Sequence, residues 1–293
     1  MLPHIDLTHQ LLLRRATVTI LVTPKSSPYL DPLRSLHSRE HFKTLILPFP
    51  SHPSIPSGVE TLQQLPLQAL PHMLEALSGL HDPLVDFQNH QQPSDLPDVI
   101  LGSSFLSPWI NKVADAFSLK SIYFLPINAH AISTMWGQED RGFFDELETA
   151  TTASYGLVVN TFHELEPELV ESVTARFMTH HRVWTVGPLL AVKAGVDRGG
   201  SSSSRQRKSW LDPTHGGANG GSCGGLGDKR CAFHMGHSVP DSGKLARVLA
   251  DSVKDDFPER VRLMKLREKG MEAIQEGGSS YNNLDELVAE MCV

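Results

Sequence analysis

The sequence predicts an α/β fold built on a largely parallel sheet. Three observations point there. Short β-branched and aliphatic runs recur along the first two thirds of the chain, too uniformly apolar for strands with one wet face. Segments of helical period stand between them, so strand and helix take turns. Clusters of Pro, Gly, Ser and Asn punctuate the junctions. Beyond about residue 190 this rhythm stops.

The chain opens on Leu2, Ile5, Leu12 and Leu13 at near-helical spacing, opposite Asp6, His9, Gln10 and Arg14. It then switches to Thr17-Val18-Thr19-Ile20-Leu21-Val22, closed by Pro24. A helix feeding a buried strand is half of an α/β unit, and such a unit normally has a strand ahead of the helix. The strand-to-helix turn is where these folds place chemistry. Residues 26–37 form a short helix through Leu30, Leu33 and Leu36, and residues 43–49 a second strand. Residues 50–66 are rich in Pro and Ser and form a surface loop. Leu70, Met73, Leu74, Leu77, Leu80, Leu84 and Phe87 predict one long helix over 67–90. Strands follow at 98–101, 121–125, 156–160 and 183–186, with helices at 107–117, from 128 to 136 and at 164–177. Residues 1–190 therefore make one domain with a largely parallel, doubly wound sheet.

Residues 191–237 read as a Gly/Ser-rich linker, predicted disordered, because a stretch such as 213–237 offers nothing to bury. Residues 238–293 return to helical patterns at 242–253, 258–275 and 283–291. These helices are too few and too amphipathic to stand alone and must pack on something else.

Composition sets further bounds. A 293-residue chain suits one or two domains with an ample core. A net charge of −7 argues against a nucleic-acid partner. Cys223, Cys231 and Cys292 are an odd set that suits a reducing compartment rather than a disulfide framework. No apolar run approaches membrane-spanning length, and a soluble cytoplasmic protein is expected.

Several stretches together resemble the plant family-1 UDP-glycosyltransferases. They are Ile5-Asp6-Leu7 with Leu12-Leu13 and the run 16–24 (ATVTILVTP), then 156–171 (GLVVNTFHELEPELVE) and 183–190 (VWTVGPLL). SWLD at 209–212 and EGGSSYNNLDELV at 276–288 complete the set. The resemblance implies a GT-B-like fold, with a Rossmann-like acceptor domain at 1–190 and, in the C-terminal helices, what is left of a second, deleted Rossmann-like domain. It implies transfer of a sugar from a UDP-sugar to a hydroxyl of a small phenolic such as a flavonoid, with inversion. The UDP-sugar is a co-substrate, no cofactor or metal is implied, and a monomer is expected.

Carried over residue by residue, the resemblance leaves the catalytic machinery incomplete. The family's base histidine stands in a Gly-His-Met turn, Met1 matches that Met, and the histidine would precede Met1. The family's partner aspartate falls at Ser103, in Gly102-Ser103-Ser104-Phe105-Leu106. The donor-binding box is absent between Asp212 and Val239. His4 and His9 lie inside the first helix, His9 on its polar face, and neither is expected to be catalytic. The acceptor pocket is placed after the strand ends, at Phe105, Leu106, Trp109, Asn128 and His130, where aromatic and polar groups suit a flat phenolic. A catalytically inactive truncated product, or an acceptor-binding module without a donor site, is the alternative.

Cys223, Cys231, His234 and His237, near His215, are good zinc ligands by type, but their spacing fits no standard knuckle and an accidental grouping is favoured. Gly225-Leu226-Gly227-Asp228-Lys229 lacks the ending of a phosphate loop. His180-His181 reads as a surface turn.

Overall fold

Helix α1 (Leu2–Leu13) leads into strand β1 (Val18–Val22), as its switch of period predicts. In this computed structural model the described residues are 2–137, 143–189, 243 and 258–291. The linker prediction for 191–237 and the helix at 242–253 lie outside them, apart from Gly243. By contacts, residues 1–198 and 266–293 form one compact unit and 199–265 a second.

After β1 the chain runs through a 3₁₀ segment, Pro24–Leu30, and the short helix α2 (Asp31–Leu36). The single helix expected at 26–37 is thus divided. Pro28 and Pro32 withhold the N–H groups that a continuous α-helix would use. Strand β2 (Phe42–Ile46) pairs in parallel with β1, Val18 opposite Phe42.

The long helix expected at 67–90 is corrected to two, α3 (Leu70–Ser78) and α4 (His81–Asn89), behind a 3₁₀ turn at Leu67–Ala69. The leucine period runs through the break, but Pro83 cannot donate to the carbonyl four residues back. Gly79 marks the corner because Pro50 crowds it: a Cβ there would lie 2.9 Å from Pro50 Cβ.

Then come β3 (Val99–Ser103), α5 (Ser107–Phe117), β4 (Lys120–Leu125) and α6 (Ala129–Trp136). Helix α7 (Phe143–Thr152) follows, then β5 (Gly156–Val159), α8 (Pro167–Phe177) and β6 (Val183–Thr185). Near the C-terminus stand α9 (Pro258–Ala273) and α10 (Ser279–Met291). Strands β3, β4, β5 and β6 form a four-stranded parallel sheet in that order, separate from the β1–β2 pair.

Alternation along the strands explains the layers. Tyr123 and Leu125 of β4 and Leu157 and Val159 of β5 face a core closed by Leu84 of α4, Trp109, Ile110 and Val113 of α5, Ile132 of α6 and Val173 of α8. Ile122, Phe124 and Val158 face the other way, onto Leu7 and Leu11 of α1 and Leu284 and Leu287 of α10. The C-terminal helix therefore completes the core of the unit that begins with α1. Asn283 donates through Nδ2 to the Thr185 carbonyl at 3.0 Å, and Arg14 pairs with Asp285 at 2.6 Å.

Candidate functional site

In a parallel sheet the loops leaving the C-terminal strand ends converge, because all strands point one way. Strand β3 ends at Ser103 and passes into a 3₁₀ turn, Ser104–Leu106, before α5. Strand β4 ends at Leu125, and Asn128 caps α6, its Oδ1 accepting from Ala131 N–H at 3.0 Å.

A polar network fixes the β3 turn from beneath. Ser107 Oγ donates to the Ser104 carbonyl at 2.8 Å, and Tyr123 Oη donates to Asn111 Oδ1 at 2.6 Å. Asn111 Nδ2 in turn donates to the Ala150 carbonyl at 2.8 Å. Burial pushes the Tyr123 phenol well above its ordinary range, so it stays a neutral donor. This network ties α7, a helix the sequence reading did not place, to α5.

The second anchor is Glu166, which the sequence reading did not single out. Its buried carboxylate accepts from Ala129 N–H at 2.7 Å and His130 N–H at 3.1 Å, and from the Thr161 hydroxyl. These are orphan donors at the start of α6, where a negative charge is favoured. The stretch HELEPELVE thus carries the residue that sets the β4–α6 turn, though 36 positions separate Glu166 from His130.

The sequence-predicted residues fall in different environments. Phe105 is exposed at 36%, an apolar ring in the turn after β3, and His130 is exposed in the first turn of α6, after β4. Leu106 is half-buried against the main core. Trp109 is buried in that core, its indole Nε1 without a hydrogen-bond partner. Asn128 spends its side-chain oxygen on capping α6. Ser103 is half-buried opposite Phe124 and makes no capping bond with its side chain.

Three histidines are more enclosed than their places in the sequence suggest. His9, expected to face water, is half-buried, with Nδ1 2.8 Å from His37 Nε2, and burial lowers the proton affinity of both rings. His4 lies edge-on to Phe124 at 5.0 Å with both ring nitrogens buried and unpartnered. Burial brings its pKa down to about 4, so the imidazole is neutral near pH 7. His180 is half-buried too, and its Nε2 donates to the Ser154 carbonyl at 2.7 Å. The Cys223–His237 grouping lies outside the described residues.

No protein-family profile matches the chain. A flavonol 7-O-rhamnosyltransferase of Arabidopsis thaliana is 52% identical over 414 aligned positions, which take in 100% of this chain and 95% of that enzyme. The chain belongs to the plant UDP-glycosyltransferase family. A second UDP-glycosyltransferase relative, a flavonol 3-O-glucosyltransferase of the same plant, is 34% identical, with 72% of this chain and 53% of that enzyme aligned. The chain spans about half the length of that relative and of UDP-glycosyltransferase 89B2 of Stevia rebaudiana. Against the first relative, 414 aligned positions and 293 residues leave roughly 120 positions without a counterpart in this chain.

The fold is the GT-B fold of that UDP-glycosyltransferase group. The crystal structure of Arabidopsis thaliana UGT89C1 matches with a TM-score of 0.84 at 50% identity, covering 100% of this chain and 96% of that one. The same enzyme has been crystallised with UDP-L-rhamnose and with quercetin.

Proposed function

We propose that the chain takes its family's substrates: a UDP-sugar as donor and a flavonol-class phenolic as acceptor, the sugar passing to an acceptor hydroxyl with inversion. The observation that carries this is the 52% identity, along the whole chain, with a flavonol 7-O-rhamnosyltransferase. Residues 1–190 are the proposed acceptor domain, 191–237 a linker, and 238–293 what remains of the donor domain. Phe105 lays an aromatic face at the strand ends, Leu106 and Trp109 back it, and Asn128 and His130 present polar groups at the neighbouring turn. No helix among the described residues is long and apolar enough to cross a membrane. A cytoplasmic monomer without a nucleic-acid partner is part of the same proposal.

Transfer requires a base for the acceptor hydroxyl and a carboxylate to orient it. His4 does not offer this, since its nitrogens are buried against Phe124 rather than open to a ligand. Ser103 stands where the family's aspartate is expected and can accept a hydrogen bond without supplying charge. The second reading, acceptor binding without transfer, is favoured by Ser103 and by the roughly 120 unfilled positions. Loss of a general base alone typically costs about 10²–10⁴ in rate.

Incubation with UDP-L-rhamnose and quercetin, followed by liquid chromatography with mass detection, separates the two. A rhamnosylated product supports the first reading. Quercetin binding, by quenching of protein fluorescence, without product supports the second. No binding sinks both. Phe105→Ala is expected to weaken quercetin at least about fivefold, as loss of a ring contact of roughly 1 kcal/mol implies.

A further inference from the structure

We propose that His52, His72 and Glu75 form a binding site for a divalent transition-metal ion, Zn²⁺ in the first instance. His52 comes from the loop after β2, whereas His72 and Glu75 sit three residues apart on one face of α3. Their donor atoms all lie within 4.8 Å of one another. His52 Nε2 is 3.2 Å from Glu75 Oε2, His72 Nδ1 is 4.0 Å from the same oxygen, and the two rings stand 5.5 Å apart.

The spacing suits coordination. Zinc–nitrogen and zinc–oxygen bonds of about 2.0–2.2 Å put tetrahedral ligands roughly 3.3–3.6 Å apart, so the three donors need shifts of only about an ångström to share an ion. The side chains can make that shift. His52 is held, its side chain 12% exposed, whereas those of His72 and Glu75 are 49% and 69% exposed and free to swing. Two imidazoles and a carboxylate are the donor set of open zinc sites, with water in the fourth position. Two local contacts change on binding: His52 Nε2 exchanges its approach to Glu75 Oε2 for the metal, and a bond at Nδ1 is lost. His52 Nδ1 now accepts from Ser54 N–H at 3.1 Å. With the metal on Nε2 the ring carries its proton on Nδ1, so that contact is released.

The site joins the long loop to α3, the same two segments that share the small apolar cluster of Ile55, Met73 and Ala76. A bound ion there adds a tie to a loop that otherwise rests on this cluster and on the partly buried Phe49, Val59, Leu62, Leu65 and Leu77 around it. None of the three ligands belongs to the candidate acceptor pocket.

Calorimetric titration of the chelator-stripped full chain with Zn²⁺ tests the assignment. The double variant His52→Ala/His72→Ala is expected to bind one ion fewer than the wild type, and Glu75→Gln to bind that ion at least tenfold more weakly. Zinc should raise the melting temperature of the wild type more than that of the double variant. A thiolate site at Cys223 and Cys231 would survive in the double variant, so the ion count separates the two. Loading with Co²⁺ adds a second readout: visible d–d bands that disappear in the double variant. An unchanged ion count there, or cobalt bands that disappear only in Cys223→Ser/Cys231→Ser, overturns the proposal. Circular dichroism of the metal-free variants establishes that they fold; if the double variant does not, Glu75→Gln with its exposed side chain decides alone.

Discussion

The two sheets among the described residues use similar residues and reach different burial. In β4 every residue after Lys120 is buried, and so is all of β5. In β1 and β2 only Val22 and Phe42 are buried. Aliphatic content does not explain this, since VTILV of β1 is as apolar as GLVV of β5. Cover does. The four-stranded sheet has helices on both faces, α1 and α10 on one side and α4, α5, α6 and α8 on the other. The small sheet packs Ile5, Leu12, Leu30 and Leu33 against one face and lends only Leu21 and Leu45 to the large core on the other. A strand's sequence states that it wants cover, and the rest of the chain decides how much it receives.

Three substitutions probe that contrast, and the largest effect belongs to the large sheet. Leu287 of α10 is fully buried against Trp184 and Val186. Leu287→Ala should lose about 2–5 kcal/mol by urea unfolding, through lost burial and the cavity left behind. A loss below about 1 kcal/mol would mean that α10 is not part of this core.

The next effect appears as pH dependence at His4, which packs on the same sheet through Phe124. Burial holds its folded pKa at about 4, below the ordinary 6.5. The fold accepts only the neutral ring, so this contribution is whole above about pH 6.5 and is lost as pH falls towards 4. Its full extent is on the order of 3 kcal/mol. His9, His37 and His180 are lowered as well and act in the same direction. Unfolding measured from pH 7.5 to 4.5 should therefore be steeper for the wild type than for His4→Leu. Parallel curves would show that His4 takes up its proton in the folded state.

The smallest effect is expected in the small sheet. Ile20 of β1 is only half-buried, and Ile20→Ala should cost about 1–2 kcal/mol, below the fully buried range. If Ile20→Ala equals Leu287→Ala, the two sheets share one level of cover and the comparison fails.

Much of this fold was legible in the sequence because buried parallel strands write themselves as apolar runs. The strand near 121–125 and the helix at 107–117 are clear cases. The break at Gly79 was not, since leucine spacing continues across it and only contact with Pro50 and the missing N–H of Pro83 divide the helix. Helix α7 was missed because Asp145, Glu146, Glu148 and three threonines dilute its apolar face. At the candidate site, residue types suggested Phe105 and His130; the first lies exposed in the turn after β3 and the second exposed in the first turn of α6. Glu166 could not be read from local pattern, because the amides it caps lie more than thirty residues away.

The separation of the β1–β2 pair from the other four strands has a practical side. Among the described residues β1 and β3 each carry strand pairing on one side only. Each leaves a row of main-chain donors and acceptors that another extended segment can satisfy. At high concentration the nearest extended segment is one belonging to a neighbouring molecule. Dilute, cold handling with early measurement of particle size is accordingly the way to study this chain as individual molecules.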